Sequence, residues 1–414
     1  MNSNIRGVFA AGSKPTPPPK EKDKTPSVVK EACITATWLT QATTVPDLVS
    51  YRMEWLPILD RIIGENKVIV SLKVDRENLF QQVIDFYKKC NPKQHVQVIV
   101  RFVNEQALDG AGVRRELYYT FFEECLGERR HMFVGEGRHK FPSNEMNFVN
   151  KGYFEALGRA IVASVLNGDC GFPYLSPIVY KYLVGEDYTD LLTLDAVPDP
   201  SIKALVKDLR AAKSADDLLA VIDSKEGAVI DHIGWPPGQT FTLKNIESLI
   251  QQLIKWDIVD KRKSSMDNLK LGLEHMGFLQ KTKRNPSLLP LLVFSEKHRI
   301  TAYYLTTKLS PKIQDLKCDG DHKKESAKSF MLDWLHNLTD EDAESFYQFV
   351  TGSADPTVAD EEIVLEFNTF EKGQKFPKAS TCSFIFRIPL GNANSSEFQK
   401  SIKVALDNAK CGFD

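Results

Sequence analysis

The chain has 414 residues, more than a single hydrophobic core usually needs, so its length predicts two or three domains. With 42% hydrophobic and 26% charged residues it has the composition of a globular protein, which excludes collagen-like, mucin-like and wholly disordered classes. Its 53 Lys and Arg against 55 Asp and Glu leave a formal net charge of −2, so no overall field favours nucleic acid or an anionic membrane.

Residues 1 to about 30 carry Ser13-Lys14-Pro15-Thr16-Pro17-Pro18-Pro19-Lys20, where prolines block helices and charges resist collapse, and this predicts a disordered tail. Residues 31–65 read as an extension, with a short segment around Trp38 to Ile63 that packs against the globular unit after it. From Val68 the pattern is dense. The apolar stretch Val68-Ile69-Val70 precedes a helix with Leu79, Phe80, Val83, Ile84 and Tyr87 on one stripe. The β-branched run from Val96 to Phe102 predicts a strand; Leu117, Phe121 and Cys125 mark a helix, and Phe154, Leu157, Ile161 and Val165 another. Between about 173 and 240 the many short signals, Pro198-Asp199-Pro200 and Trp235-Pro236-Pro237-Gly238 among them, suit a small subdomain. A helix returns near Asn245 with Ile246, Leu249, Ile250 and Leu253.

Around 310–322 the periodicity lapses at Pro311 and Asp319-Gly320-Asp321, which predicts a hinge between a unit ending near 312 and a second unit over 313–414. In the second unit one helix carries Phe330, Met331, Trp334, Leu335 and Leu338, and Thr339-Asp340-Glu341-Asp342 caps the next. Ile363, Leu365 and Phe367 alternate as a strand. A further strand comes after Cys382 with Phe384, Phe386 and Ile388 on one face and ends at Pro389. Ser396-Glu397-Phe398-Gln399 reads as the capping box of a last helix that Gly412 ends.

The seven cysteines, Cys33, Cys90, Cys125, Cys170, Cys318, Cys382 and Cys411, are odd in number and scattered without a CxxC pair, which argues against a disulfide framework and against zinc. No signal segment and no run of about 18 apolar residues occurs, so a cytoplasmic or nuclear compartment without membrane attachment is expected. Cys382 differs from the other six because Phe376-Pro377-Lys378-Ala379-Ser380-Thr381 places it at the end of a proline-containing loop just before a strand. A thiolate there can exchange with a thioester without a dedicated base. Its parity with Phe384, Phe386 and Ile388 equally suits a buried packing cysteine. His322 and His336 are the nearest histidines for a Cys/His hydrolase, and neither sits in a recognisable hydrolase setting.

Pro377-Lys378-Ala379-Ser380-Thr381-Cys382, with Pro389 after it, resembles the catalytic loop of the HECT domain of ubiquitin ligases. Phe102-Val103-Asn104-Glu105 with Asp109-Gly110-Ala111-Gly112-Val113-Arg114-Arg115-Glu116, then Gly158-Arg159, Leu243-x-Asn245 and Phe349-Val350-Thr351-Gly352, extend the likeness in order from about Asn66 to the C terminus. Within the family the chain is similar to the shorter domains of the G2/M-phase-specific ligase-like branch. The resemblance implies an α+β, bilobal fold: a large, mostly helical N-lobe over 66–312 that binds a ubiquitin-conjugating enzyme, and a smaller α/β C-lobe over 313–414 across a flexible hinge. It implies that Cys382 accepts ubiquitin as a glycyl thioester and passes it to substrate lysines, with Thr381 orienting the loop or stabilising the thioester carbonyl. Ubiquitin and a conjugating enzyme are the implied partners, with neither metal nor organic cofactor. Arg114, Arg115 and Glu116 read as capping, paired or solvated charges, and Asp109 and Gly110 as turn formers. Trp235 reads as a partner contact or as packed under its own loop.

Three departures stand out. Ser383-Phe384 replaces the Phe-Asn that many members carry, Ala111 interrupts the usual Gly-Gly, and the chain closes on Phe413-Asp414, where many members place a phenylalanine four residues from the end in a transfer tail. They leave open a second reading, a catalytically degenerate scaffold that binds ubiquitin or a conjugating enzyme without efficient ligation.

Overall fold

The computed structural model describes residues 67–409 apart from 92, 106–110, 237, 295–298, 355–362 and 371–372. The expected tail over 1–30, the extension over 31–65 and the residues Asp109, Gly110, Cys33, Cys411, Gly412, Phe413 and Asp414 lie outside the described residues.

The first lobe opens with a β-α-β unit. β1 (Lys67–Val74) and β2 (His95–Phe102) pair in parallel, Lys67 opposite His95 and Val74 opposite Phe102, and α1 (Leu79–Lys89) connects them, burying the stripe of Leu79, Phe80, Val83, Ile84 and Tyr87. α2 (Gly112–Leu126) buries Leu117, Tyr118, Phe121, Phe122 and Cys125. A hairpin that the sequence pattern does not announce, β3 (Phe133–Val134) with β4 (Phe141–Pro142), is next in the chain. Then come α3 (Met146–Asn150) and α4 (Tyr153–Leu166), a helix apolar nearly all round and so placed at the centre of the lobe.

Over 173–240 the chain forms α5 (Pro177–Val184), α6 (Pro200–Ala211) and α7 (Ala215–Ile222), started by Ser176, Asp199 and Ser214 caps. Trp235 donates from Nε1 to the Gln239 carbonyl at 2.9 Å and stacks on Phe241, so it packs within its own loop. Asn245 then holds the approach to α8 (Ile246–Ile258): its side-chain carbonyl accepts from the Thr242 N–H and its amide donates to the Thr240 carbonyl. α9 (Lys263–Leu273) and α10 (Phe278–Arg284) close the lobe.

The pair Gly158-Arg159 has a structural reason. A Cβ at Gly158 would stand 2.7 Å from Leu269 O and Leu273 N, so glycine lets α4 lie directly on α9. Arg159 Nη1 donates to the Tyr87 and Cys90 carbonyls at 3.1 Å each, satisfying the end of α1.

The second lobe contains α11 (Ala302–Gln314), α12 (His322–His336), α13 (Asp340–Thr351), β5 (Val364–Phe367), β6 (Lys378–Ser380), β7 (Ile385–Ile388) and α14 (Ser395–Ala409). β7 is central in the sheet, parallel to β5 and antiparallel to β6. Met331, Trp334, Phe346, Phe386, Ile388 and Phe398 fill one core under the helices.

Two boundaries differ from expectation. The lapse at 310–322 is no lobe boundary: α11 continues through Pro311, and its Leu305, Leu309 and Ile313 belong to the second core, where packing outweighs the local cost of a helical proline. That core begins at Ile300, while Leu291 and Leu292 still hydrogen-bond the first lobe through the Phe172 and Leu175 amides. The last helix is capped by Asn394 instead of Ser396: the Asn394 side-chain oxygen accepts from the Glu397 N–H at 2.9 Å, and Glu397 accepts from the Ala393 N–H at 2.7 Å.

Candidate active site

The segment before Cys382, expected to be loop alone, includes strand β6, which pairs Lys378 with Arg387, Ala379 with Phe386 and Ser380 with Ile385. Lysine, alanine and serine are weak strand formers, so propensity hides this strand. Between Ser380 and Ile385 lie Thr381, Cys382, Ser383 and Phe384. The Ser383 N–H donates to the Ser380 carbonyl at 3.2 Å, leaving Thr381 and Cys382 as the central pair of a tight turn. Cys382 is a half-buried free thiol and Ser383 is exposed. Of the alternatives the sequence left open, the turn removes Cys382 from the strand face, whereas Cys125 and Cys170 are buried packing cysteines. Burial pushes the Cys90 thiol up to about 11 and that of Cys125 well above its ordinary value, so neither is a ready nucleophile.

Phe384 carries the strain of the turn. Its φ of 51° is left-handed, a conformation that asparagine accepts more readily than a bulky residue, yet its side chain is wholly buried and its carbonyl accepts from the Val364 N–H at 2.9 Å. Packing and the hydrogen bond to β5 therefore fix the exit of the turn.

The first lobe meets this turn through the start of α2. A Cβ at Gly112 would stand 2.8 Å from the Cys382 nitrogen and would also collide with Thr381 Oγ1, so only glycine permits the approach. One helical turn on, Arg115 is 1% exposed; its Nη1 donates to the Thr351 carbonyl at 2.7 Å and to the Thr381 carbonyl at 3.1 Å, and its guanidinium lies 4.4 Å from the Phe384 ring centre. Thr351 and Gly352 end α13, with Gly352 at φ 82° donating to the Gln348 carbonyl. The Phe-Val-Thr-Gly segment thus supplies the second carbonyl that Arg115 grips.

The three charges at the start of α2 diverge. Arg114 pairs with buried Asp169 at 2.6 Å, and Glu116 pairs with Arg76 at 2.8 Å, as charges at a helix start commonly do. Arg115 alone of the three crosses to the other lobe, a placement that its reading as a capping, paired or solvated charge did not anticipate. Its signal is the spacing Gly112–Arg115, one turn on one face, beside a segment expected to matter. Thr381 lies beside Cys382 in the turn; its gripped group is the carbonyl, with the hydroxyl against Gly112. The hydrogen bonds and close approaches of the turn come from Gly112, Arg115 and Phe384, not from His322 or His336; His322 is exposed beside Glu325. Among the described residues no group of three His, Cys, Asp or Glu is arranged to hold a metal, and no helix is long and apolar enough to cross a membrane.

The thiol is thus set, half-buried, in a turn at the meeting of two lobes, beside an exposed serine. The profile of the family described as HECT-domain (ubiquitin-transferase) matches residues 119–414, well over half of the chain. The match begins after the Asp-Gly-Ala-Gly segment and includes the turn. A protein of Neurospora crassa described as E3 ubiquitin-protein ligase TOM1-like is 27% identical over 124 residues, which make up 28% of this chain and 3% of that relative. The chain thus matches only a small part of the relative's length.

Proposed function

Because the chain belongs to the HECT-domain (ubiquitin-transferase) family, we propose that it is a ubiquitin ligase that takes ubiquitin from a conjugating enzyme onto Cys382 and passes it to a substrate lysine. The observation that carries the reading is the place of Cys382: a half-buried thiol at the centre of the β6–β7 turn, where the two lobes meet.

In the first step the Cys382 sulfur attacks the carbonyl carbon of the thioester on the conjugating enzyme. A C–S bond to Cys382 forms, the C–S bond to the donor cysteine breaks, and the donor leaves as the thiol with the proton that Cys382 gives up. In the second step a neutral lysine amine attacks the new thioester, a C–N bond forms, the C–S bond breaks, and the proton lost by nitrogen returns to the Cys382 sulfur. One C–S bond replaces another in the first step, so little driving force is needed; the second is downhill because an amide is more stable than a thioester. Thr381 acts through its backbone, holding the entry of the turn. Movement between the lobes lets one cysteine meet a donor and an acceptor in different places.

The test is a single-turnover reaction with charged conjugating enzymes. The wild-type chain is expected to gain a ubiquitin adduct that reductant removes, Cys382→Ala to gain none, and Cys382→Ser to retain a reductant-resistant oxyester. An adduct that persists on Cys382→Ala would overturn the assignment. A thioester that never yields an isopeptide, even with an extended C-terminal tail, would support the scaffold reading instead.

A further inference from the structure

We propose that Arg115 is the positioning residue of the reacting turn, reaching from α2 of the first lobe to hold Thr381, Cys382 and Phe384 in the closed arrangement from which the thioester is discharged. The inference rests on the function proposed above.

Arg115 brackets the thiol. It grips the carbonyl of the residue before Cys382 and lies against the ring of the residue two after it, while its second carbonyl, from Thr351, ties the same guanidinium to the end of α13. The bracket spans 266 residues of sequence, so it exists only when the lobes are closed. Gly112 completes it from the same face of α2, in contact with Thr381 and the Cys382 backbone.

The environment of Arg115 is unlike that of a residue placed for stability alone. Arg114 and Arg262 are buried beside the carboxylates Asp169 and Asp257. Arg115 is buried with two carbonyl oxygens and a ring as its partners among the described residues, and its Nε has none. Among the described residues no carboxylate pairs with Arg115, and a buried cation held by neutral partners is expensive, so the closed arrangement is one that the lobes can leave. Its positive charge also favours the negative oxygen that develops when an amine attacks a thioester on Cys382.

Closure suits one of the two steps. With the start of α2 against Thr381 and Cys382, a slim lysine side chain can approach the sulfur more readily than a folded conjugating enzyme can. Charging therefore proceeds from an arrangement in which Arg115 has let go, and discharge from the one seen here.

The experiment compares the wild-type chain with Arg115→Ala and Arg115→Lys in two ways. Brief alkylation of the free protein with iodoacetamide, mapped by mass spectrometry, is expected to modify Cys382 at least about tenfold faster in Arg115→Ala, while buried Cys125 and Cys170 stay unmodified. Single-turnover kinetics are expected to show charging of Cys382 within about threefold of wild type and discharge to lysine slowed at least about tenfold. Lysine keeps the charge but loses the planar guanidinium that stacks on Phe384 while one of its nitrogens reaches both carbonyls, so Arg115→Lys is expected to fall between the two. Equal losses in both steps together with reactive Cys125 and Cys170 would mean a folding defect and overturn the inference. So would unchanged alkylation of Cys382 in Arg115→Ala. If no variant, wild type included, forms a thioester, the proposed function fails, and the alkylation result still decides whether Arg115 holds the turn.

Discussion

Ala111 stands just before α2 at φ 46° and ψ −38°, backbone that a Cβ resists, and its carbonyl accepts the first helical bond from the Arg115 N–H at 2.9 Å. The strain at Ala111 thus sits at the root of the helix that presents Arg115. An alanine-to-glycine change in a helix interior lowers stability by about 0.5–1 kcal/mol. Ala111→Gly is expected to do the reverse, raising the urea midpoint by the equivalent of a few tenths to about 1 kcal/mol. A lowered midpoint would show that the backbone here is not strained. The place of Cys382 and Thr381 just before strand β7 was legible from the sequence because the Pro-x-Ala-x-Thr-Cys spacing is local and bound to the strand end at Pro389. Arg115 was not, because a charge at a helix start has many ordinary uses and its partners, Thr351 and Thr381, are far along the chain.

Among the elements, the crossing of α4 and α9 depends on Gly158 and Gly272, each of which would set a Cβ against the other helix's backbone. Gly158→Ala gains helix propensity but forces the backbones apart, so a net loss of about 1–3 kcal/mol is expected from denaturant unfolding. A gain would mean that the close approach is not needed. His275, between α9 and α10, adds a pH dependence. Burial, and then the nearby Arg159 charge, lower its pKa from the ordinary 6.5 to about 4. A depressed histidine binds its proton in the unfolded chain first, so this contribution is complete above pH 6.5 and is lost as pH falls towards about 4. The loss approaches about 1.4 kcal/mol for each pH unit inside that window. His275→Gln is expected to flatten the stability profile there by that amount; an unchanged slope would place the titration elsewhere. Elements with long periodic stripes, such as α1 and α4, were plain in the sequence, as were the Thr339 cap and the strand alternation at Leu365 and Phe367. β6 was hidden by its length and composition, and the continuation of α11 by Pro311, a breaker that tertiary packing overrides.

At the scale of the molecule, polar contacts that join the lobes include those of Arg115 with the carbonyls of Thr351 and Thr381, and that of Glu344 of α13 with Arg138 of the first lobe at 3.6 Å. Glu344 is also held by Arg299 at 2.7 Å, next to the start of the second core. The second contact is partly exposed and so weak and screened by salt. The first is buried and, among the described residues, held by neutral partners. Neither is of the kind that locks two lobes permanently, which agrees with the proposed transfer through Cys382. The α+β, bilobal architecture was legible from the resemblance and the periodicity together; where the lobes divide was not, since Pro311 and Asp319-Gly320-Asp321 break the pattern inside a lobe. Transfer through Cys382 is tested by quenching the chain with acid during charging by a ubiquitin-loaded conjugating enzyme, digesting it with trypsin and weighing the peptide Ala379–Arg387, whose one cysteine is Cys382. The expected result is the carboxyl-terminal diglycine of ubiquitin on that peptide, labile to reductant and absent when the conjugating enzyme is uncharged; the remnant on another cysteine, with Ala379–Arg387 unmodified, would contradict it.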